Sequence, residues 1–119
     1  NLYTTKMLFE GVSKRVGVPI VFDSHHFACG AQDSSYSEAI DMAVSTWPAG
    51  IRPTCHHSNS RKLYEDPKVS ANAHSDWYYE KFDNNGHHVD VVLECKKKEQ
   101  ALFKYLERWG GDYLLENAA

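Results

Sequence analysis

The chain has 119 residues, of which 42% are hydrophobic and 24% are charged, and its formal net charge is −3. This composition is typical of one globular domain and unlike a disordered chain, and the acidic balance argues against the basic face that most nucleic-acid-binding domains carry. Bound divalent cations would add positive charge that a residue count omits.

The sequence contains none of the patterns that direct a chain into or across a membrane. It has no signal peptide and no long apolar span. Its three cysteines, Cys29, Cys55 and Cys95, lack Cys-x-x-Cys spacing and are typical of reduced thiols rather than a disulfide framework. We therefore expect an intracellular protein that is not secreted. Because the chain opens on Asn1 and leads directly into a helix, we also expect it to be part of a longer protein.

Helical and strand-like patterns alternate along the chain. The first helix is predicted over residues 3–16, with Leu8, Phe9, Val12 and Val16 on its inward face. A strand from about Val18 to Asp23 follows, then a loop over 27–33 and a helix that begins at a Ser35–Glu38 capping box and ends by Pro48. The next predicted elements are a strand over 51–56, a long polar loop over 57–76 and a short helical turn over 77–82. The chain then forms a strand over 89–94 and a helix over 97–109, which Gly110 and Gly111 close.

This alternation predicts a parallel sheet with right-handed crossovers, and so the α/β class. The predicted strands are apolar on both faces, so helices would cover one face and another layer the other. In an eight-stranded (β/α)8 TIM barrel, opposite strands fill the inner face, and such a barrel takes about 250 residues. We therefore predict a partial TIM barrel made of about three βα units.

Each predicted strand ends in a potential metal ligand. Asp23, His56 and Glu94 follow the three apolar runs, and carboxyl ends of parallel strands meet at one edge of a sheet. Mixed carboxylate and imidazole ligation suits Zn²⁺, Mn²⁺ or Fe²⁺ better than Ca²⁺. His26 and His74 are further candidates, and His26 lies three residues beyond Asp23, where it could hold a second ion. Paired ions are a common device for phosphodiester hydrolysis.

Several other residues have competing interpretations. His25 and His57, next to candidate ligands, are predicted to be polar surface or supports for those ligands, and His87 and His88 to be solvated loop residues. Lys96 and Arg61 are either solvated charges or contacts to a phosphate backbone. The aromatic residues 77–79 either pack internally or stack on bases. We predict that the cysteines are small buried residues.

Four motifs, in order, resemble those of the UV damage endonucleases: V-P-I-V-F-D-S-H-H, R-P-T-C-H-H-S, A-H-S-D-W and D-V-V-L-E-C-K-K-K-E. The resemblance extends over nearly the whole chain. It implies a TIM barrel related to endonuclease IV, divalent ions that are typically Mn²⁺ (with Zn²⁺ or Mg²⁺ as alternatives), and incision of UV-damaged double-stranded DNA on the 5′ side of photoproducts. It also implies that residues 1–119 are the C-terminal portion of one barrel domain.

The same resemblance assigns roles to individual residues. It implies that Asp23, His56 and Glu94 are catalytic and share one ion, and that His26 and His74 serve a neighbouring one. Ser58 also matches the family pattern, and with Lys96 and Arg61 it is a candidate DNA contact. One departure is Thr54, where the family commonly has a lysine that is reported as carboxylated; a neutral hydroxyl cannot replace that ligand.

Two other functions remain open at the level of the sequence. A sugar isomerase or epimerase of the xylose isomerase-like barrels also gathers histidines and carboxylates around metal ions, but it would bind small polyols instead of DNA. Alternatively, the chain has no activity and serves only as an interaction module. In either case we expect the bare sheet face to be covered, either by the missing N-terminal half of the barrel or by self-association.

Overall fold

A computed structural model describes residues 3–30 and 32–117, so Asn1 and Ala31, the latter in the predicted loop 27–33, lie outside the described residues. The first helix consists of α1 (Thr5–Leu8), a π-helical turn (Phe9–Ser13) and α2 (Lys14–Val16) in direct succession. The remaining elements are β1 (Phe22–Asp23), α3 (Ser24–Cys29), α4 (Tyr36–Ser45), β2 (Thr54–His57), α5 (Arg61–Tyr64), β3 (Asp90–Leu93) and α6 (Glu99–Asn117).

The three strands form one parallel sheet in the order β1-β2-β3. In its register Asp23 lies opposite His56, and His56 lies opposite Val92. Parallel neighbours need crossover connections, and helices lie in both intervals between the strands. The predicted parallel α/β fold is therefore confirmed.

One face of the sheet is packed against helix α4. Ile20, Phe22 and Cys55 point to this face and are buried together with Ala39 and Ile40 of the helix. The helix begins with the predicted capping box, in which Ser35 Oγ accepts from the Glu38 N–H and Glu38 Oε1 accepts from the Ser35 N–H. Burial raises the pKa of the Cys55 thiol to about 11, as expected of a packing residue.

The opposite face of the sheet is open to solvent among the described residues. Val21 is 44% exposed and Val92 is 45% exposed, although both lie on strand-forming segments. The helices pack on one side only, so the described residues leave bare the face for which a second layer was predicted. The bare side corresponds to the inner face of a barrel, where strands from elsewhere in a complete barrel would pack.

Several local predictions are wrong. The predicted loop over 57–76 contains helix α5, and β1 is shorter than the strand predicted from Val18. Helix α3 replaces the predicted loop at residue 27, because Asp23 caps a helix immediately after β1. Helix α6 runs through Gly110 and Gly111, since glycine costs only about 1 kcal/mol in a helix interior. Residues 77–82 form no helix. Val12 and Val16 are 44% and 66% exposed because only Leu8 and Phe9 of that face reach the core.

Among the described residues, no helix combines the length and the apolar character that crossing a bilayer would require.

Helix α4 is tied to the turn before β3 by the carboxylate of Asp41. Its Oδ1 atom accepts hydrogen bonds from His87 Nε2 at 2.6 Å and from Asn85 Nδ2 at 2.9 Å. The hydrogen bond from His87, followed by that from Asn85, lowers the pKa of Asp41 below its ordinary value. His87 is therefore held in place by its hydrogen bond to Asp41, which corrects its prediction as a freely solvated loop residue, whereas His88 is exposed.

We predict that Asp41→Asn weakens the fold at neutral pH but has little effect in strong acid. A carboxylate whose folded-state pKa is lowered stabilises the protein above its unfolded-state pKa, about 3.9, and loses that contribution as the pH falls through the folded-state value. Urea unfolding midpoints of both proteins between pH 7 and pH 2 should converge at the acid end. A constant offset across that range would contradict this interpretation.

Candidate metal centre

Asp23 has two structural roles at the junction of β1 and α3. Its carboxylate follows the strand, and its Oδ1 atom accepts hydrogen bonds from the backbone N–H groups of His25 and His26, each at 2.9 Å. An aspartate at this N-cap position satisfies donors that the helix leaves unpaired. The capping bonds use Oδ1. The carboxylate is half-buried, and one of its oxygens is also a possible metal ligand at the edge of the sheet.

His56 and Glu94 complete a cluster with Asp23 at the carboxyl ends of the three strands. Each residue contributes one ligand atom, and these atoms all lie within 4.8 Å of one another. His56 Nδ1 is 2.6 Å from Glu94 Oε1, and the two side chains are 36% and 38% exposed. Two carboxylates and one imidazole, reachable from solvent, form a donor set that fits a divalent cation of the Mn²⁺, Zn²⁺ or Fe²⁺ type.

His26 and His74 lie outside this cluster of three. His26 is exposed, and its backbone N–H is bonded to Asp23. His74 Nδ1 lies 2.8 Å from Ser58 Oγ, and Ser58 donates its hydroxyl proton to the Asn59 carbonyl at 3.2 Å. In a neutral His74 ring, Nδ1 therefore carries the proton and Nε2 has the free lone pair that a metal requires.

Helix α3 holds the segment that precedes His74. The ring of His25, which is 2% exposed, stacks on that of His74 with centroids 4.5 Å apart, and its Nε2 atom lies 3.2 Å from the Ala73 carbonyl. Cys29 Sγ donates to the Ala71 carbonyl at 2.9 Å. Burial, followed by the nearby His74, lowers the pKa of His25. The surface interpretation of His25 is therefore wrong, and Cys29 is a half-buried hydrogen-bond donor.

His57 is also buried, with 4% of its surface exposed. Its ring bonds to Ser24 Oγ at 2.7 Å and to the Glu80 carbonyl at 2.9 Å. Burial lowers its pKa, although the Glu80 carbonyl opposes this shift. Ser24 had no predicted role, and His57 had two competing interpretations. The burial of His57 could have been predicted from strand alternation, because residues 56 and 57 must point to opposite faces of β2.

A second carboxylate organises the loop between His74 and Tyr79. Glu65 accepts hydrogen bonds from the N–H of Asp76 at 2.9 Å and from the Tyr79 hydroxyl at 2.6 Å. Partial burial raises the pKa of Glu65, but these hydrogen bonds outweigh it and the pKa is lowered. Arg61 lies between Glu65 and Asp76, at 4.0 Å and 3.9 Å. Its guanidinium therefore has internal carboxylate partners and is not simply a solvated charge.

The remaining candidates are one lysine and two aromatic residues. Lys96 is exposed, and its backbone N–H bonds to the Ser75 carbonyl at 3.0 Å. Tyr78 packs on Tyr105 with ring centroids 5.0 Å apart, so its ring packs internally. The Trp77 ring lies under the Lys104 ammonium at 4.2 Å.

Comparisons with known proteins give one consistent result. The family model described as UV-endonuclease UvdE matches residues 1–112. The UV DNA damage endonuclease of Bacillus pumilus is 29% identical over 107 residues, which are 82% of this chain and 32% of that protein. The UV DNA damage endonuclease of Bacillus cereus is 26% identical over 114 residues, which are 88% of this chain and 34% of that protein.

A solved structure supports the fold. The crystal structure of SacUVDE superimposes with a TM-score of 0.75 and 24% sequence identity, and the match covers 93% of this chain and 37% of that chain. The chain thus spans about a third of the length of the curated relatives that it matches. The parallel three-stranded sheet and this partial coverage together show part of a barrel fold.

The double role of Asp23 leads to a prediction about stability. Asp23→Ala and Asp23→Asn both remove the charge, but asparagine keeps an oxygen that can cap α3. We expect the alanine variant to unfold more easily than the asparagine variant by about 1 kcal/mol, measured by urea denaturation without added metal. Equal stabilities would show that the cap contributes nothing to the fold.

Proposed function

Since the chain belongs to the UV-endonuclease UvdE family, we propose that it is the C-terminal portion of a metal-dependent DNA repair endonuclease that cuts a strand 5′ to UV photoproducts. The observation that carries this proposal is the convergence of Asp23, His56 and Glu94 at one edge of a parallel sheet. The curated relatives are named UV DNA damage endonucleases.

In this proposal Asp23, His56 and Glu94 hold one divalent ion, of which Mn²⁺ is the favoured identity, and His26 and His74 serve a second. A bound divalent ion supplies stabilisation of negative charge on phosphoryl oxygens. The contact of 2.6 Å between His56 Nδ1 and Glu94 Oε1 holds two of the three candidate ligands at the same point of the sheet edge. The half-exposed position of both side chains leaves the centre open to a DNA strand.

The chain also offers contacts for the DNA backbone. Lys96 is exposed two residues after Glu94, where its ammonium can reach a phosphate. Phosphate contacts of this kind make binding sensitive to salt. Arg61 and Ser58 are weaker candidates, because Arg61 lies between two carboxylates and Ser58 is buried against His74. Among the three residues considered as DNA contacts, Lys96 is therefore the one we favour.

Thr54 lies on the same face of β2 as His56, two residues before it. Its hydroxyl cannot supply the charge of a carboxylated lysine. We propose that the centre in this chain is built from carboxylates and imidazoles without a ligand from residue 54.

The open face of the sheet requires a second layer in this proposal. Val21 and Val92 are too exposed for a finished barrel interior. We propose that the remaining strands of the barrel, or a second copy of the chain, cover this face. Activity should then depend on assembly.

Incision of a duplex that carries one UV photoproduct tests the function. We expect Mn²⁺-dependent cutting 5′ to the lesion, lost at least 100-fold in Glu94→Gln and rising more than linearly with chain concentration if a second copy completes the barrel. Asp90→Asn is the matched control, because Asp90 is on the same strand but pairs with Arg52 at 3.4 Å, outside the cluster. An intact duplex at every concentration, also when the remaining strands of the barrel are supplied with the chain, would instead favour a non-catalytic module.

A further inference from the structure

We propose that His57 is a positioning residue for the candidate metal centre, acting with Ser24 to fix how Asp23, His56 and Glu94 face one another. This inference rests on the proposed function, because it assumes that these three residues bind a metal ion. It adds two residues, His57 and Ser24, that contribute no ligand atom to the cluster.

The position of His57 prevents it from being a ligand itself. It follows His56 on β2, and successive side chains of a strand point to opposite faces. Its ring lies on the helix side among aromatic rings, stacked on Tyr78 with centroids 5.7 Å apart and edge-on to Phe82 at 5.5 Å. His57 can therefore influence the centre only through its neighbours and its backbone.

The hydrogen bonds of His57 define the state of its ring. Nε2 faces the Glu80 carbonyl at 2.9 Å, and because a carbonyl only accepts, this nitrogen carries the proton. In the neutral ring Nδ1 must then accept, and the Ser24 hydroxyl donates to it at 2.7 Å. Both ring nitrogens are satisfied, so the ring has one defined orientation in its buried site.

These bonds connect His57 to all three candidate ligands. Ser24 directly follows Asp23 and is the first residue of α3, so the Ser24–His57 bond sets the distance between the ends of β1 and β2. The backbone carbonyl of His57 accepts from the Glu94 N–H at 2.9 Å, which extends the pairing of β2 with β3. His56 is the preceding residue, so a shift of β2 at His57 would move every member of the cluster.

A metal ion is sensitive to displacements of this kind. Groups behind the ligands orient them, and losing such a group commonly weakens metal affinity 10–100-fold. A residue that serves only the core would lower stability without changing the affinity of the folded protein. Metal affinity measured well below the melting temperature therefore separates the two roles.

Four variants separate the individual bonds. Ser24→Ala removes the donor to Nδ1. His57→Gln has an amide N–H that can reach the Glu80 carbonyl but no acceptor for Ser24, whereas His57→Asn keeps an acceptor near the Nδ1 position. Tyr36→Phe is the matched control, because it removes a hydroxyl that donates to the Asp83 carbonyl at 2.6 Å and so links two segments away from the cluster.

The readouts are Mn²⁺ affinity, followed through the electron paramagnetic resonance signal of free Mn²⁺, and the visible spectrum of the Co²⁺-loaded protein. We expect Ser24→Ala and His57→Gln to weaken Mn²⁺ binding about tenfold or more and to change the Co²⁺ spectrum. His57→Asn should stay within about threefold of the wild type, with its spectrum largely restored. Tyr36→Phe should lower the melting temperature while leaving affinity and spectrum unchanged.

Two results would overturn the proposal in distinguishable ways. If Ser24→Ala and His57→Gln fold and bind Mn²⁺ as tightly as the wild type, His57 is only a core residue and the metal centre stands without it. If the wild-type chain itself binds no Mn²⁺, the proposed centre fails, and the role of His57 fails with it.

Discussion

The parallel pairing of β2 with both of its neighbours is the constraint on which the candidate site depends. Its register places Asp23 opposite His56 and His56 opposite Val92, and the Glu94 N–H continues the pairing by bonding to the His57 carbonyl. Three side chains that are distant in sequence therefore meet at one edge. A shift of one residue would turn each of them to the other face of the sheet.

The two faces of the sheet have different roles: one packs the core and the other carries the candidate site. The helix side holds the core and the buried imidazole of His57, whereas the opposite side carries the candidate ligands and the exposed Val21 and Val92. In the pairs His25–His26 and His56–His57, one ring is a candidate ligand and the other is buried: His25 supports the segment before His74, and His57 bonds to Ser24. The unfinished inner face agrees with a match to only 37% of the SacUVDE chain.

Apolar runs that end in candidate ligands were enough to predict the parallel sheet and the convergence of Asp23, His56 and Glu94, because strand ends must meet at one edge. The helix after Asp23 was missed, because residues 27–33 were predicted as a loop and the capping bonds of Asp23 depend on backbone geometry. The helical passage through Gly110 and Gly111 was missed because local propensity is weak compared with continuity of a helix. The partners of His57, by contrast, come from segments more than 20 residues away, which no local pattern reveals.

The central claim is that one divalent ion binds at the ends of the three strands. Titration of the ¹⁵N-labelled chain with substoichiometric Mn²⁺ tests this claim directly, because the paramagnetic ion broadens amide signals near its site. We expect selective loss of the signals of Asp23, His56 and Glu94, while those of His87 and His88 persist. Broadening centred on His87 and His88, or no selective broadening, would contradict it.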